Sequence, residues 1–476
     1  MKSLARLAAA AAMAAALLTA CGKDKETGDI RFDRPALYLS QGRTATVAFT
    51  TDNIDLRTLS VTSRPTGWEQ IEVNAAEKTL TVTAPAAIEG ETASSGSVVL
   101  TGVPGGGGSV ASGTLFVSIA GTEDLSAYPA NSYLANKKET EYLFDALHKG
   151  EGEEELATAR LGIIWQSASE LVQHLHFDGQ KGSFYIGADK DDATRIKEGN
   201  ALIGAYDAHD KLLWSWHIWV ADFDPEAQPL VLNGRTLMAR NLGARTDNHA
   251  TAAEKLASYG LYYQWGRKEP FIGPLTYNAA SGGVSAKMYD GSGTGVSLKA
   301  TASTAETGTM AYAVEHPLEF ITAAEKDADW LQGGTTVRWS EEEKTLYDPC
   351  PHGWRVAPVS AFDNLSIKDD LAADADYASQ YGWTLGDGTA ESYFAGAGRR
   401  SWRDASVQNY FDESLPARAV EMQPWVGYYW TAGEVGALSP AFCFWYKADD
   451  VAASDVRNGR PMGRANGMQV RCVKDE

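Results

Sequence analysis

Four cysteines and a few closely placed histidines carry the most chemistry in this 476-residue chain. Cys21 ends the run Leu18-Thr19-Ala20-Cys21, directly after an apolar stretch, a setting for thioether attachment of a lipid. Cys350 stands in Asp348-Pro349-Cys350-Pro351-His352-Gly353-Trp354-Arg355, and Cys472 in Val470-Arg471-Cys472-Val473 near the C-terminus. Each lies beside apolar and turn residues, the pattern of two distant segments that meet. Cys443, within Ala441-Phe442-Cys443-Phe444-Trp445-Tyr446, reads as a buried thiol in a strand. With Cys21 lipidated three thiols remain, and an odd number leaves one unpaired. Outside the cytoplasm a disulfide persists.

His174 and His176 are two apart on a predicted strand and so share a face. With His217, on another strand, they supply three imidazoles, a zinc set in kind. No Asp, Glu or Cys at a recognisable spacing completes it, so they read as half-exposed strand residues and no metal or other cofactor is expected. There is no Gly-x-Ser-x-Gly elbow, no His-Glu-x-x-His and no dinucleotide fingerprint, and the chain reads as a non-enzyme. Trp383, Trp402, Trp425, Trp430 and Trp445 enrich the last part of the chain, where indole faces either stack on sugar rings or fill an irregular core. Arg399-Arg400-Ser401-Trp402-Arg403 is a basic spot in an acidic protein. Trp402, Trp425, Arg399 and Arg400 are therefore the candidate ligand contacts. Ion pairs to Asp404 and Asp412 are the ordinary account of the arginines.

These residues need a frame. Lys2 and Arg6 precede an alanine-rich apolar run, Leu7 to Leu18, which is too short to span a bilayer. Residues 1–20 read as a lipoprotein signal peptide and 21–29 as a polar tether, which places the mature chain at the outer membrane, anchored by lipid at Cys21 and facing the cell exterior. Loss of Lys2 and Arg6 takes the formal charge from -20 to about -22. That balance excludes general nucleic-acid binding, which needs phosphate-neutralising cations. Residues 30–121 alternate in period two, as in Ala45-Thr46-Val47-Ala48-Phe49 and Thr79-Leu80-Thr81-Val82-Thr83, and predict a β-sandwich with Trp68 plugging its core. Gly105 to Ser109 is a hairpin loop, since no Gly-Lys-Ser/Thr follows it. Residues 122–227 predict a second sandwich, with Asp207-Ala208-His209-Asp210 as a hairpin turn. In Leu213-Trp214-Ser215-Trp216-His217-Ile218-Trp219 one face is core, and Trp219 is either exposed, where it could stack on a sugar, or packed at a domain junction, the favoured reading. From Pro229 glycine, tryptophan and tyrosine rise and periodicity falls, which marks residues 228–476 as a third domain.

Several phrases carry resemblances. Residues 30–121 resemble the immunoglobulin-like modules, including the BACON type, of Bacteroidetes surface proteins. Gly199-Asn200-Ala201-Leu202-Ile203 with the tryptophan run is similar to a phrase of fimbrillin-associated lipoproteins. Leu237-Met238-Ala239-Arg240-Asn241-Leu242, Tyr259-Gly260-Leu261-Tyr262-Tyr263-Gln264-Trp265-Gly266, Cys350-Pro351-His352-Gly353-Trp354, Gly427-Tyr428-Tyr429-Trp430-Thr431-Ala432 and Val470-Arg471-Cys472-Val473 follow in order. That order resembles the Fibrobacter succinogenes major paralogous domain, although Leu237 stands for its tryptophan and Thr431-Ala432 for its serine pair. The family is similar to the C-type-lectin-like fold, where a cysteine before a Gly-rich segment is bonded to one in the final strand. The resemblance gives those roles to Cys350 and Cys472. It also implies that calcium-dependent sugar binding is absent, because Gln423-Pro424-Trp425 is the nearest sequence to that motif and tryptophan does not ligate calcium. The expectation is a mainly β protein, two sandwich modules and a C-terminal α+β lectin-like domain. It would act as a non-catalytic surface lipoprotein for adhesion or binding of a glycan or a host or matrix protein through the C-terminal domain, with a surface enzyme as the least favoured reading. The alternative is an accessory or tip subunit of a fimbria-like assembly, with fimbrial subunits as partners.

Overall fold

The computed structural model describes residues 27–39, 41–86, 95–276, 284–333, 338–367, 382–408, 425–445 and 455–476. Cys21, the signal segment, Asp412, Gln423-Pro424 and the side chains of Trp425 and Trp445 lie outside the described residues. The chain is mainly β and divides into two compact units, one ending at Gly121 and one running Thr122–Glu476.

The first unit is a sandwich of two four-stranded sheets. Strands β1 (Asp29–Phe32), β3 (Thr44–Asp52), β6 (Thr79–Thr83) and β5 (Ile71–Asn74) form one. Strands β2 (Ala36–Leu39), β8 (Ala111–Ile119), β7 (Gly96–Gly102) and β4 (Ser60–Ser63) form the other. The alternation in β3 and β6 places Val47, Phe49, Leu80 and Val82 inward against Val98, Leu100, Leu115 and Val117. Trp68 is fully buried in that core. Strands β7 and β8 pair from Gly96↔Val117 to Gly102↔Ala111, so the glycine run is their hairpin loop.

The second unit begins as another sandwich. One sheet orders β13 (Gln173–Phe177), β14 (Lys181–Ile186), β11 (Thr140–Asp145) and β9 (Gly121–Asp124). The facing sheet orders β10 (Ser132–Ala135), β16 (Leu212–Val220), β15 (Gly199–Tyr206) and β12 (Arg160–Gln166). It continues past β12 into the two-residue strands Met288–Tyr289 and Gly295–Val296. Strand β16 is buried on both faces. Trp214, Trp216, Ile218 and Val220 enter the sandwich core, whereas Trp219 joins a core with Met238, Leu242, Tyr263, Trp265, Trp354, Trp430 and Cys472. The composition shift near Pro229 therefore does not mark a break in packing: residues on either side share a sheet and a core. A strand that alternates apolar and polar still buries both faces when a second layer covers the polar one.

Residues 228–476 contain both α-helices of the described residues, α1 (Ala252–Ser258) and α2 (Met310–Glu315), amid short strands. Thr251 and Glu254 close a capping box at the start of α1. Cys350 and Cys472 are disulfide-bonded, S–S 2.03 Å, and Cys443 is a buried free thiol. The bond ties the turn before Trp354–Val356 to the last strand, Cys472–Lys474, which pairs with it antiparallel. Asp348 organises that turn, accepting from the Cys350 and Val356 N–H groups at 2.9 and 2.8 Å. The Lys344 ammonium sits inside it, donating to Asp348, the Cys350 carbonyl and the Trp354 carbonyl at 2.8–2.9 Å.

Irregular backbone leaves carbonyls without ladder partners, and buried ones must be satisfied. Tryptophan and arginine do this here. Indole N–H groups of Trp265, Trp330, Trp339 and Trp430 donate to the carbonyls of Thr431, Trp265, Tyr347 and Tyr263. Buried Arg267 donates to Glu319 O and Ala313 O, and Arg471 to Tyr393 O and Asn241 Oδ1. Arg338 and Arg464 both lie against the Trp265 ring, 4.7 and 4.6 Å from its centroid, and share Asp329. Trp265, Trp330, Trp339, Trp383 and Trp430 thus help build the core.

Candidate ligand-binding cavity

The basic spot is not a surface patch. Arg400 is fully buried, donating to Ile272 O, Ala405 O and Ser285 Oγ, and burial pushes its guanidinium down to about 10. Arg399 is 7% exposed, with its guanidinium 5.2 Å from the Tyr428 ring centroid. Neither stands at the surface to meet a ligand: carbonyls of other segments take up the Arg400 donors, and Arg399 lies buried against the Tyr428 ring. Trp402 is half-buried, packed on the cluster of Ala313, Ile321 and Trp330 with Arg403 over its ring.

The histidines are not brought together. His174 takes φ +52 at a bulge where β13 loses register with β14, and it lines a cleft of about 510 Å³ beside Glu170. His217 is not half-exposed but fully buried, on the face of β16 away from the sandwich core. Its Nε2 donates to Asn200 Oδ1 at 2.9 Å, and its Nδ1 lies 3.1 Å from Ser132 Oγ and 3.5 Å from the Tyr263 hydroxyl. Ser132 in turn donates to Pro349 O at 2.5 Å. Burial drives the imidazole down to about 3, so it is neutral at ordinary pH. Among the described residues no three His, Cys, Asp or Glu side chains group as metal ligands.

What His217 does is hold Asn200, and Asn200 borders a cavity. Asn200 Nδ2 donates to Gly243 O at 2.9 Å, while Trp219 Nε1 donates to Ala244 O at 2.9 Å. These bonds bring three of the phrases together: Gly199-Asn200, the glycine after Arg240-Asn241-Leu242, and Tyr259-Gly260-Leu261. A cavity of about 380 Å³ opens at that meeting point. Two of its walls are bare backbone. Gly243 takes φ +83, and a Cβ there would lie 2.6 Å from Leu261; Gly260 takes φ +72, and a Cβ there would lie 2.7 Å from Leu242 O. Ile272 and Ala286 close another side, on the two segments that Arg400 ties through Ile272 O and Ser285 Oγ. Arg400 therefore acts on the cavity from behind. Tyr289, Ser167 and Glu198 complete the rim with Arg245 and Lys287.

A third cleft, about 840 Å³, lies beside the His249–Tyr393 stack, whose rings are 3.9 Å apart. Its charged groups are engaged: Glu254 caps α1, Asp247 pairs with Arg240, and Lys255 and Glu391 both have partners. Sequence reasoning missed Arg245, Lys287 and Tyr289. The signal available was the convergence of phrases, since Asn200, Tyr259 and Leu261 belong to stretches that stood out on other grounds.

No family model matches this chain, and no curated protein does. Solved structures similar to parts of it include an endo-fucoidan hydrolase of glycoside hydrolase family 107, 16% identical, covering 39% of this chain and 32% of that one at TM-score 0.14. The D00-D0 domain of intimin is 11% identical, covering 40% and 96% at TM-score 0.16. Drosophila N-cadherin EC1-3 is 10% identical, covering 41% and 67% at TM-score 0.17. The chain spans about a third of the hydrolase's length, and at these scores the likenesses bear on no residue of the cavity.

Proposed function

We propose that the chain is a non-catalytic lipoprotein of the cell surface, anchored in the outer membrane through Cys21, which binds a glycan in the second unit. The observation that carries the reading is the cavity of about 380 Å³ where the three phrases meet. It falls at the small end of the roughly 300–1,000 Å³ range of ligand pockets, room for one or two sugar rings. Gly243 and Gly260 let the segments that form the wall pack closely, Tyr289 offers an aromatic face, and Ser167, Glu198, Arg245 and Lys287 offer polar groups at the rim. Binding is built on a rigid joint, with Asn200, Gly243 and His217 fixed by hydrogen bonds.

Glycan-array screening of the detergent-solubilised full chain, followed by titration calorimetry, tests the reading. Tyr289→Ala should weaken binding, and Ala286→Trp, which fills the cavity, should abolish it. Binding that survives both substitutions would sink it. Co-purification with pilin-like subunits and no glycan signal would instead move the assignment to a fimbria-like assembly. The anchor is tested separately: Cys21→Ala should release the protein from the membrane fraction, and continued retention would refute lipidation.

A further inference from the structure

The geometry points to an acidic sugar as the ligand of this cavity; the inference rests on the reading of the cavity as a sugar site. The chain carries 62 acidic residues against 42 Lys and Arg, so carboxylates are in excess, and many of the cations pair with one. Arg160 pairs with Asp210, Lys181 with Asp124, and Lys211 with Glu315. Arg245 and Lys287 have no ion pair among the described residues, and they stand on the wall of the same cavity.

Arg245 is half-buried and its backbone is held on both sides. Its N–H donates to Ala257 O at 2.9 Å, and its carbonyl accepts from Arg240 Nη1 at 2.7 Å. A guanidinium on a cavity wall with no acceptor of its own is open to a ligand's acceptor. Glu198 is the third charged residue of the wall. Its carboxylate accepts from the Asp222 N–H at 3.1 Å and lies 3.9 Å from Arg195. With Glu198 paired to Arg195, the wall keeps an excess of positive charge from Arg245 and Lys287. A carboxylate or sulfate ester on the sugar answers it. The planar fork of Arg245 suits a carboxylate, and Lys287, exposed at the rim, adds a mobile point charge. Tyr289 and Leu261 remain for the C–H face of the ring.

Calorimetry of the full chain decides this with uronic-acid oligosaccharides, their neutral glucose and galactose counterparts, and sulfated galactose oligosaccharides. The acidic ligand should bind about tenfold more tightly than its neutral counterpart, the weight of one charge-assisted hydrogen bond. That advantage should vanish in about 1 M salt, where the screening length is about 3 Å. Arg245→Gln and Lys287→Gln should each lower affinity for the acidic ligand alone, and far-UV dichroism verifies their fold. Preference for the sulfated sugar over the uronate would identify the charge as a sulfate ester. Equal binding of neutral and acidic sugars, unchanged in both variants, overturns this inference and leaves the sugar site standing. No binding by any member of the panel overturns the site itself.

Discussion

Acid should loosen the second unit through one side chain, His217. The imidazole is fully buried and burial depresses it from 6.5 to about 3. The unfolded chain therefore binds a proton that the folded chain refuses. This stability is complete above pH 6.5 and is lost progressively as the pH falls towards 3. At pH 5 the window has been entered by about 1.5 units, and each unit is worth about 1.4 kcal/mol, so the loss is about 2 kcal/mol. Carboxylates held low in the same unit act further down: Asp124, bonded to Lys181, and Glu319, where Lys299, Thr301 and Tyr312 outweigh burial, both come to about 2. Urea unfolding at pH 7.5 and pH 5.0, followed by tryptophan fluorescence, reads this unit almost alone, because Trp68 is the one tryptophan before Gly121. His217→Gln removes the titrating group, and its pH dependence over this interval should be flatter by about 2 kcal/mol. Burial also depresses His174, which contributes with the same sign and is unchanged by the substitution. Equal slopes in wild type and His217→Gln would show that the joint takes up its proton without cost and would refute the account.

Further outcomes follow from the same packing. Lys344→Met strands Asp348, 2% exposed, as an unpaired buried charge, and should cost about 3–5 kcal/mol in urea unfolding. Reduction of Cys350–Cys472 opens a loop with sequence separation 122, worth about 5 kcal/mol in the chain-entropy model, so thermal melts with and without reductant should differ sharply. Peptide mapping of the unreduced protein should recover the Cys350–Cys472 pair. Burial pushes the Cys443 thiol up to about 12. It should resist alkylation in the native protein and react only after denaturation; rapid labelling of the native chain would contradict its burial.

Regular periodicity made the strands of both sandwiches legible, because Val47, Phe49, Leu80 and Val82 must all face inward or all face out. Trp219, read as exposed or as packing at a domain junction, is buried in a core that runs through that boundary within one unit. The strands Met288–Tyr289 and Gly295–Val296 were not legible, since two residues carry no period. Arg399 and Arg400 misled because consecutive basic residues look solvated. Arg400 finds Ile272 O and Arg399 the Tyr428 ring on segments far away in sequence, and composition does not encode irregular carbonyls that lack ladder partners. The cavity was hidden for the same reason, as Asn200, Arg245 and Lys287 meet only once β15, the Gly243 turn and the segment before Met288 are assembled.

Strand β16 has a bearing on how this protein can be inherited or dissected. One face belongs to the sandwich and the other to the disulfide-closed half, and Lys268 reaches from that half to the Ser215 carbonyl and hydroxyl at 2.8 and 2.7 Å. A gene rearrangement that borrowed residues 122–227 alone would deliver Trp219 and His217 to water. One that borrowed 228–476 alone would expose the apolar surface they cover. Recombination can therefore exchange whatever precedes Thr122, but the remainder must travel as one piece.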